Sequence, residues 1–592
     1  MSSFKLLIVP VFLMLFFMNV NAQEYISLDN LDAFEVGKNW KIQGNVSGDL
    51  NKEYSFEVKK GKGILVNIPT EKNKTNLLSH FEHGDADIEL EFMMAKHSNS
   101  GIYLQGRYEV QLFDSWGTLH PAFSDCGGIY KRFRPDGSQF EGHAPLINAC
   151  KAPGTWQKMK ISFQAPRFDE SGMKTHNAKI LYVDLNGYRI HENIELTGPT
   201  GGPVSEKEVE QGPLMIQGDH GPVAFRNIKI MRFQDIVPEL QNIKYTLYKG
   251  DIFDLRESDF SKATSKTGKL KEFELPTVEE EYGWAVVYTA KVTIPVKGKY
   301  TFGVQASGHA TMKVNGKEVI PNTWSHPSWG AREGSEIELT EGVHDVEIMF
   351  AKVDNWQSNY LGLYIRGDKM RSKPLYSGVP YVSGSGGDAP VFLHATKPTV
   401  SRGFMRIGEG EASQMVTRSV NVGSPSGMHF SVNLENGALF QLWRGDFLNM
   451  SSMWNGRGNA SAVPNGVVLS LSNNSPLSGK LTLASLGYDI DEDQLPVFRY
   501  KVGDAELKDK ITPLQGKEVK REINHTIAGG GVWILCEEEN ISDLGNGLYN
   551  INDQTYFIRA SIPGVSIIKS ENGKMQLTAP LSNKNITYSI IW

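Results

Sequence analysis

The sequence predicts an all-β protein, and three observations predict it. Alternating apolar and polar residues recur in short runs along the chain, which is the period of strands with one buried face. Asn-Gly pairs stand within several hairpin-like patterns, where a tight turn must match strand twist. Glycine supplies 59 of the 592 residues and aromatics 10%, a composition suited to sheets joined by many turns. At about 150 residues per domain, this length suggests three or four domains. The net charge of −6 gives no reason to expect a nucleic-acid partner.

Residues 1–22 read as a signal peptide. Lys5 precedes the almost wholly apolar run Leu6–Met18, and Val20-Asn21-Ala22 offers small residues for cleavage. The run is too short for a confident membrane span, and no later stretch is long and apolar enough. The expected location is therefore periplasmic or extracellular, with the mature chain starting near Gln23. An oxidising compartment permits Cys126 and Cys150 to pair and leaves Cys536 free, with the unpaired state equally open. Haem and structural zinc are not expected, because the cysteine spacings of those sites are missing.

Residues 25–235 read as a two-sheet β-sandwich. Asp85–Phe92 alternates, with Ile88, Leu90 and Phe92 inward, and is expected to pair as a hairpin with the strand that begins at Gly101. Ala178–Asn193 reads as a second hairpin with Asn186-Gly187 at its tip. Pro213–Arg232 closes the domain, with Leu214, Ile216, Ile228 and Ile230 as buried-strand residues around a polar loop. Residues 240–378 form a second β-domain. In it Val286–Ile294, Lys299–Gln305 and Val343–Phe350 alternate, and Thr311–Ile320 turns at Asn315-Gly316. Residues 379–390 read as a linker by composition. Residues 391–592 make a third β-rich region, with further turns at Asn436-Gly437 and Asn572-Gly573.

The chain is organised around Asn99–Gly117. From Tyr103 to Leu112 the alternation predicts one strand whose polar face carries Tyr103, Gln105, Arg107, Glu109 and Gln111. A ring to stack on, two amides, a cation and a carboxylate are what a sugar-binding groove needs. A polar outer face with an Arg107–Glu109 ion pair is the plainer alternative.

Four blocks carry a resemblance to a known family: NSGIYLQGRYEVQLFDSWG (99–117), DCGGIYKRF (125–133), EGHAPLINACKAPGTWQ (141–157) and GPLMIQGDHGPVAFRNI (212–228). Together they resemble the 3-keto-disaccharide hydrolase domain, formerly a domain of unknown function, over roughly residues 30–233. The resemblance implies a concanavalin-like jelly roll with a site on its concave sheet, acting on glycosides whose carbon 3 is oxidised to a ketone. That ketone acidifies the proton on carbon 2, so a base, an enolate stabiliser and an acid for the leaving group suffice. The paired carboxylates of ordinary glycosidases are not needed.

The candidates follow from those roles. Glu109 is the first choice for base or metal ligand, and Arg107 could stabilise an enolate or bind hydroxyls. Asp114 and Trp116 stand where the strand becomes a loop, Asp114 being equally suited to forming the turn. Gln217, Asp219 and His220 occupy a Gly-flanked loop that lets backbone approach a ligand. His220 is a plausible acid or base, and a loop histidine bonded to Asp219 is the plainer reading. Tyr130 and His143 are second-tier candidates for binding substrate. Glu91 could face Glu109 across the expected hairpin and share a proton or a divalent cation with it.

The second domain resembles the anthrax protective-antigen-type β-domain through residues 300–320 and 341–352. Sugar-binding members carry a calcium-binding Asp-Asp pair where this chain has Ser307-Gly308-His309, so the implied role is a structural spacer. Residues 416–458 look like a module of large exported proteins. Trp443, Trp454 and Arg457 there are either surface recognition residues or, preferably, buried aromatics.

The leading reading is an exported enzyme cleaving 3-keto-glycosides by elimination or hydrolysis. Its competitors are a non-catalytic carbohydrate-binding protein and an extracellular scaffold. The sequence leaves the oligomeric state open.

Overall fold

The computed structural model describes residues 24–255, 260, 263–378, 389–408, 413–455, 460–478, 481–528 and 530–592. The expected signal peptide, residues 379–388 of the linker and Arg457 lie outside the described residues. The protein is all-β: among the described residues the helical exceptions are the short turns Ser451–Asn455 and Pro327–Trp329.

The described residues fall into two compact units, one from Phe233–Ser383 and one from Tyr25–Arg232 together with Gly384–Trp592. In the second unit, the N-terminal part is a concanavalin-like sandwich. Its strands are β1 (Trp40–Gly48), β2 (Phe56–Asn67), β3 (Leu77–His83), β4 (Ala86–Met94), β5 (Asn99–Leu104), β6 (Tyr108–Phe113), β7 (Gln157–Gln164), β8 (Ala178–Leu185), β9 (Tyr188–Leu196), β10 (Gly212–Ile216) and β11 (Val223–Arg232). One sheet runs β9-β8-β7-β4-β11-β2-β1, and the other runs from Phe34–Glu35 through β3-β10-β5-β6. Ile88, Leu90 and Phe92 of β4 meet Ile102, Leu104, Val110, Leu112, Leu214 and Ile216 of the second sheet in one core.

Several expectations hold. Asn186 and Gly187, at φ 53° and 84°, form the β8–β9 turn. Only a left-handed pair fits there, which Asn and Gly tolerate. Leu214, Ile216, Ile228 and Ile230 are all buried.

Two expectations fail. The stretch from Tyr103 to Leu112 is not one strand. It is the hairpin β5–β6, folded at Gln105-Gly106, whose φ angles of 53° and 65° reverse the chain. The alternation had run unbroken through a turn because Gln105 and Arg107 happen to continue its parity. Nor does Asp85–Phe92 pair with the strand beginning at Gly101. β4 lies in the opposite sheet, between β7 and β11, so Glu91 cannot face Glu109. Glu91 instead accepts from Arg226 Nε at 2.7 Å.

The C-terminal residues share the sandwich's apolar core cluster. Arg444, on strand β12 (Ala438–Asn449), is buried and donates to the carbonyls of Cys150 and Trp592. Trp116 Nε1 donates to the Trp592 carbonyl at 3.0 Å, and Gln554 Nε2 to the Val46 carbonyl at 2.9 Å. Of the tryptophans singled out in this region, Trp443 is fully buried, whereas Trp454 is 76% exposed.

Farther into this region, Arg521 and Asp509 form a buried ion pair at 2.7 Å, with side-chain exposures of 3% and 0%. The guanidinium also donates to the Gly437 carbonyl and lies over Trp533. Removing the anion leaves a buried cation without its counter-charge. Asp509→Ala is therefore expected to lower stability by about 3–5 kcal/mol, measured by denaturant unfolding.

Candidate active site

The second sheet of the sandwich has one face in the core and one face of polar and aromatic groups. Register sets the second face in rows. Tyr103 pairs with Glu109 on one side and with Met215 on the other. One step along, Gly101 pairs with Gln111, and its carbonyl accepts from the Gln217 amide at 2.9 Å. Beyond the edge strand β6, Tyr130 N donates to the Glu109 carbonyl at 3.1 Å, which carries Tyr130 alongside.

Glu109 is the chemical centre of this face. Its side chain is 2% exposed and folds over Gly101, where an added Cβ would fall 2.1 Å from Glu109 Oε1. Only glycine leaves that space. Burial pushes the carboxyl up to about 8, and the negative charge of Asp219 adds to the rise. The Tyr103 hydroxyl bonds to the carboxyl and opposes the rise, but that phenol also donates to the Gly201 carbonyl at 2.9 Å. One phenolic proton cannot serve both acceptors. While Gly201 holds it, Glu109 is best satisfied as the acid, donating to the phenol oxygen. Burial and the Glu109 charge keep Tyr103 itself protonated. In the amide orientation that satisfies both of its ends, Gln111 donates to Glu109 Oε1 at 2.8 Å and to the Ser100 carbonyl at 3.3 Å. Gln217 brings a buried Oε1 that has no partner among the described residues.

The loop between β10 and β11 completes the face. It crosses from one sheet to the other, and buried amides hold it there. Asn67 Nδ2 donates to the carbonyls of Gly218 (3.1 Å) and Gly221 (3.0 Å). Asn39 Nδ2 donates to Asn67 Oδ1 at 2.7 Å and to the Thr75 carbonyl at 2.9 Å. Held this way, the loop exposes Asp219 and His220, joined at 2.6 Å. Asn39 and Asn67 were not among the sequence candidates. The available signal was Asn67 at the end of the apolar run Ile64-Leu65-Val66, where a strand has no use for an amide.

The structure thus brings Tyr103, Glu109, Gln111, Tyr130, Gln217, Asp219 and His220 together. It places the remaining candidates elsewhere. Arg107 does not pair with Glu109: at the hairpin end, its guanidinium donates to the carbonyls of Lys207 and Gln105, both at 2.6 Å. Gln105 is buried, with its Nε2 on the carbonyls of His83 and Glu210. Asp114 accepts from the His97 amide at 2.8 Å, across the fold, and from the Trp116 amide at 3.4 Å, which is a turn-forming use. Trp116 packs against C-terminal residues, with Lys517 over its ring. His143 pairs through its backbone with Ile129.

Cys126 and Cys150 are free, buried thiols with a hydrogen bond between them, so of the two states the sequence left open the structure has the unpaired one. Among the described residues no three His, Cys, Asp or Glu side chains are grouped to hold a metal ion, and Glu91 lies across the sandwich from Glu109. No helix among them is long and apolar enough to cross a membrane.

Two measurements follow from this geometry. The folded carboxyl of Glu109 titrates above its unfolded value, so its contribution to stability is complete below about 4.5 and is lost as pH rises through about 8. That contribution is worth roughly 5 kcal/mol if burial is undisturbed. Glu109→Gln, which keeps the uncharged shape, is expected to flatten this pH dependence in unfolding curves recorded from pH 4 to 9. Asn67→Ala removes two bonds from the crossing loop, and a loss of about 1–3 kcal/mol is expected in the same assay.

Residues 28–231 match the model of the 3-keto-alpha-glucoside-1,2-lyase-like domain, and residues 264–375 match that of the PA14 domain. Similar solved structures include three from Parabacteroides distasonis ATCC 8503, each described as a candidate glycosyl hydrolase. The first is 24% identical, covers 35% of this chain and 84% of its own, and has a TM-score of 0.25. The second is 17% identical, with coverages of 36% and 100% and a TM-score of 0.25. The third is 16% identical, with coverages of 33% and 89% and a TM-score of 0.20. No curated protein matches the chain. This chain carries a 3-keto-alpha-glucoside-1,2-lyase-like domain, concanavalin-like in fold, followed by a PA14 domain.

Proposed function

We propose that the N-terminal sandwich cleaves 3-keto-glycosides, with Glu109 as the base that takes the proton from carbon 2. One observation carries the reading. A single carboxyl, desolvated and raised to about 8, sits among a phenol, two amides and an Asp–His pair on one sheet face. Burial makes its ionised form a stronger base than an ordinary carboxylate, which suits removal of a weakly acidic C–H proton.

Glu109 carboxylate takes the carbon-2 proton, and the C–H electron pair moves into the enolate of the carbon-3 ketone. The Tyr103 hydroxyl, turning from the Gly201 carbonyl, donates to the enolate oxygen. The enolate re-forms the ketone as the bond from carbon 1 to the glycosidic oxygen breaks. His220, oriented by Asp219, supplies the leaving oxygen with a proton. Water adding across the resulting double bond gives the 3-keto sugar, whereas release without addition gives the enone. The family description of residues 28–231 supports this substrate class. The signal-peptide pattern of residues 1–22 supports export to the periplasm or beyond.

The test is a mass-resolved product assay on a 3-keto-disaccharide and on its unoxidised parent. Cleavage of the oxidised sugar alone is expected, with the rate rising toward pH 8 as Glu109 ionises. Glu109→Gln should lose about 10²–10⁴-fold in kcat/KM. Equal cleavage of both sugars, or full activity in the Gln variant, overturns the assignment.

A further inference from the structure

The unit formed by Phe233–Ser383 presents a second feature, built from residues that have no part in the candidate face. Its strands include β13 (Gly298–Ala306), β14 (Lys317–Ser325) and β15 (Gly342–Lys352). Two loops leave β14 and β15, and each lifts one tryptophan into solvent. Trp329 is 69% exposed and Trp356 65% exposed. Trp324, at the end of β14, lies between them, with ring centroids 5.4 Å from Trp329 and 5.9 Å from Trp356. The His326 ring is stacked on Trp356, 5.4 Å away at 13°.

Both loops are held by polar groups beneath the rings. In the first loop, His326 Nδ1 accepts from the Ser328 amide at 3.1 Å, and the Pro327 carbonyl accepts from Gln305 Nε2 at 2.5 Å. In the second, the fully buried Lys352 ammonium bonds to Asp354 Oδ1 at 2.7 Å. Asp354 Oδ2 then accepts from Gln357 Nε2 at 2.9 Å and from Trp324 Nε1 at 3.3 Å, which ties one loop to the ring of the other. Ser307 bonds to Tyr360 through both of their backbone amides and fixes the far end of the second loop. Gln357 is 8% exposed, and its Oε1 has no partner among the described residues.

Holding two indoles rigidly in water has no folding benefit, because their hydrophobic area stays wet. The arrangement is preorganised for a ligand that covers them. The exposed residues of the two loops and the end of β14 include Thr323, Ser328, Asn355, Ser358 and Asn359, which are uncharged and offer hydrogen bonds of both senses. Asp354 is already paired with the Lys352 ammonium, and Asp254 accepts from Asn322 Nδ2 at 2.7 Å. Flat apolar faces with a neutral hydroxyl and amide rim fit a neutral polysaccharide, whose sugar rings have apolar faces and hydroxyl edges. We propose that Trp324, Trp329 and Trp356 form a platform that binds a neutral glycan chain without a metal ion. This site is independent of the catalytic reading and would keep the protein on its polymer.

The test is affinity electrophoresis of the full chain through gels cast with laminarin, xyloglucan or hydroxyethylcellulose, with polygalacturonate as the charged control. Retardation is expected in at least one neutral gel, unchanged by EDTA. Trp329→Ala with Trp356→Ala should weaken it by at least about ten-fold. Both residues are exposed, so folding is expected to survive, checked by unchanged cleavage of a 3-keto-disaccharide or, should the parent not cleave it, by an unchanged unfolding curve. Free migration of the parent in every neutral gel, loss of retardation in EDTA, or equal retardation of the double variant each overturns the platform. Retardation of a parent that cleaves no 3-keto sugar would leave the platform standing and remove the catalytic reading alone.

Discussion

Residues 217–222 carry the chain from one sheet of the N-terminal sandwich to the other, and everything on the candidate face depends on how that crossing is held. A loop between two sheets leaves backbone carbonyls inside the protein, where each unpaired one is costly. Asn67 and Asn39 answer that cost with side-chain amides aimed at Gly218, Gly221 and Thr75. Once the crossing is fixed, Gln217 extends the row of Gly101 and Gln111, and the Asp219 charge acts on Glu109. The candidate face is thus carried on the solution to a backbone problem.

The carboxyl at the centre makes the sandwich choose between stability and ionisation. Glu109 is most easily buried as an acid, but the proposed chemistry uses its base form. Burial raises its titration point, and that rise is the conflict in chemical form. Tyr103 stands between the two states, since its hydroxyl can satisfy Gly201 or a charged Glu109 but not both. A shared proton of this kind needs no moving loop: a hydroxyl rotation redistributes it.

Local chemistry could be read from the sequence wherever one or two residues decide it. Asn186-Gly187 and Asn315-Gly316 turn where their left-handed conformations require, and the buried parities of β4 and β10 follow the alternation. Long-range pairing could not be read that way. Asp85–Phe92 and the strand beginning at Gly101 are neighbours in sequence, yet they face each other across the core, because alternation says which side is buried and not which sheet is joined. The Tyr103–Leu112 stretch misled for the opposite reason, since a Gln-Gly turn preserved the parity of the strands it joins. Glu109, Gln111 and Gln217 were legible as candidates for one site, and the structure brings them together. The place of Arg107 was not legible, because nothing local reveals that its guanidinium satisfies carbonyls of Lys207 and Gln105.

The compact unit of the sandwich draws on both ends of the chain. Arg444 reaches the Cys150 carbonyl, Gln554 reaches Val46, and Trp592 accepts from Trp116. A ribosome adding about 5–20 residues per second makes those partners tens of seconds after Arg232 has emerged. During that interval the first-made sandwich has carbonyls and a tryptophan waiting for groups not yet synthesised, while Phe233–Ser383 can already fold. Cellular quality control would therefore see a frameshift in the last third of the gene as a defect of the first third.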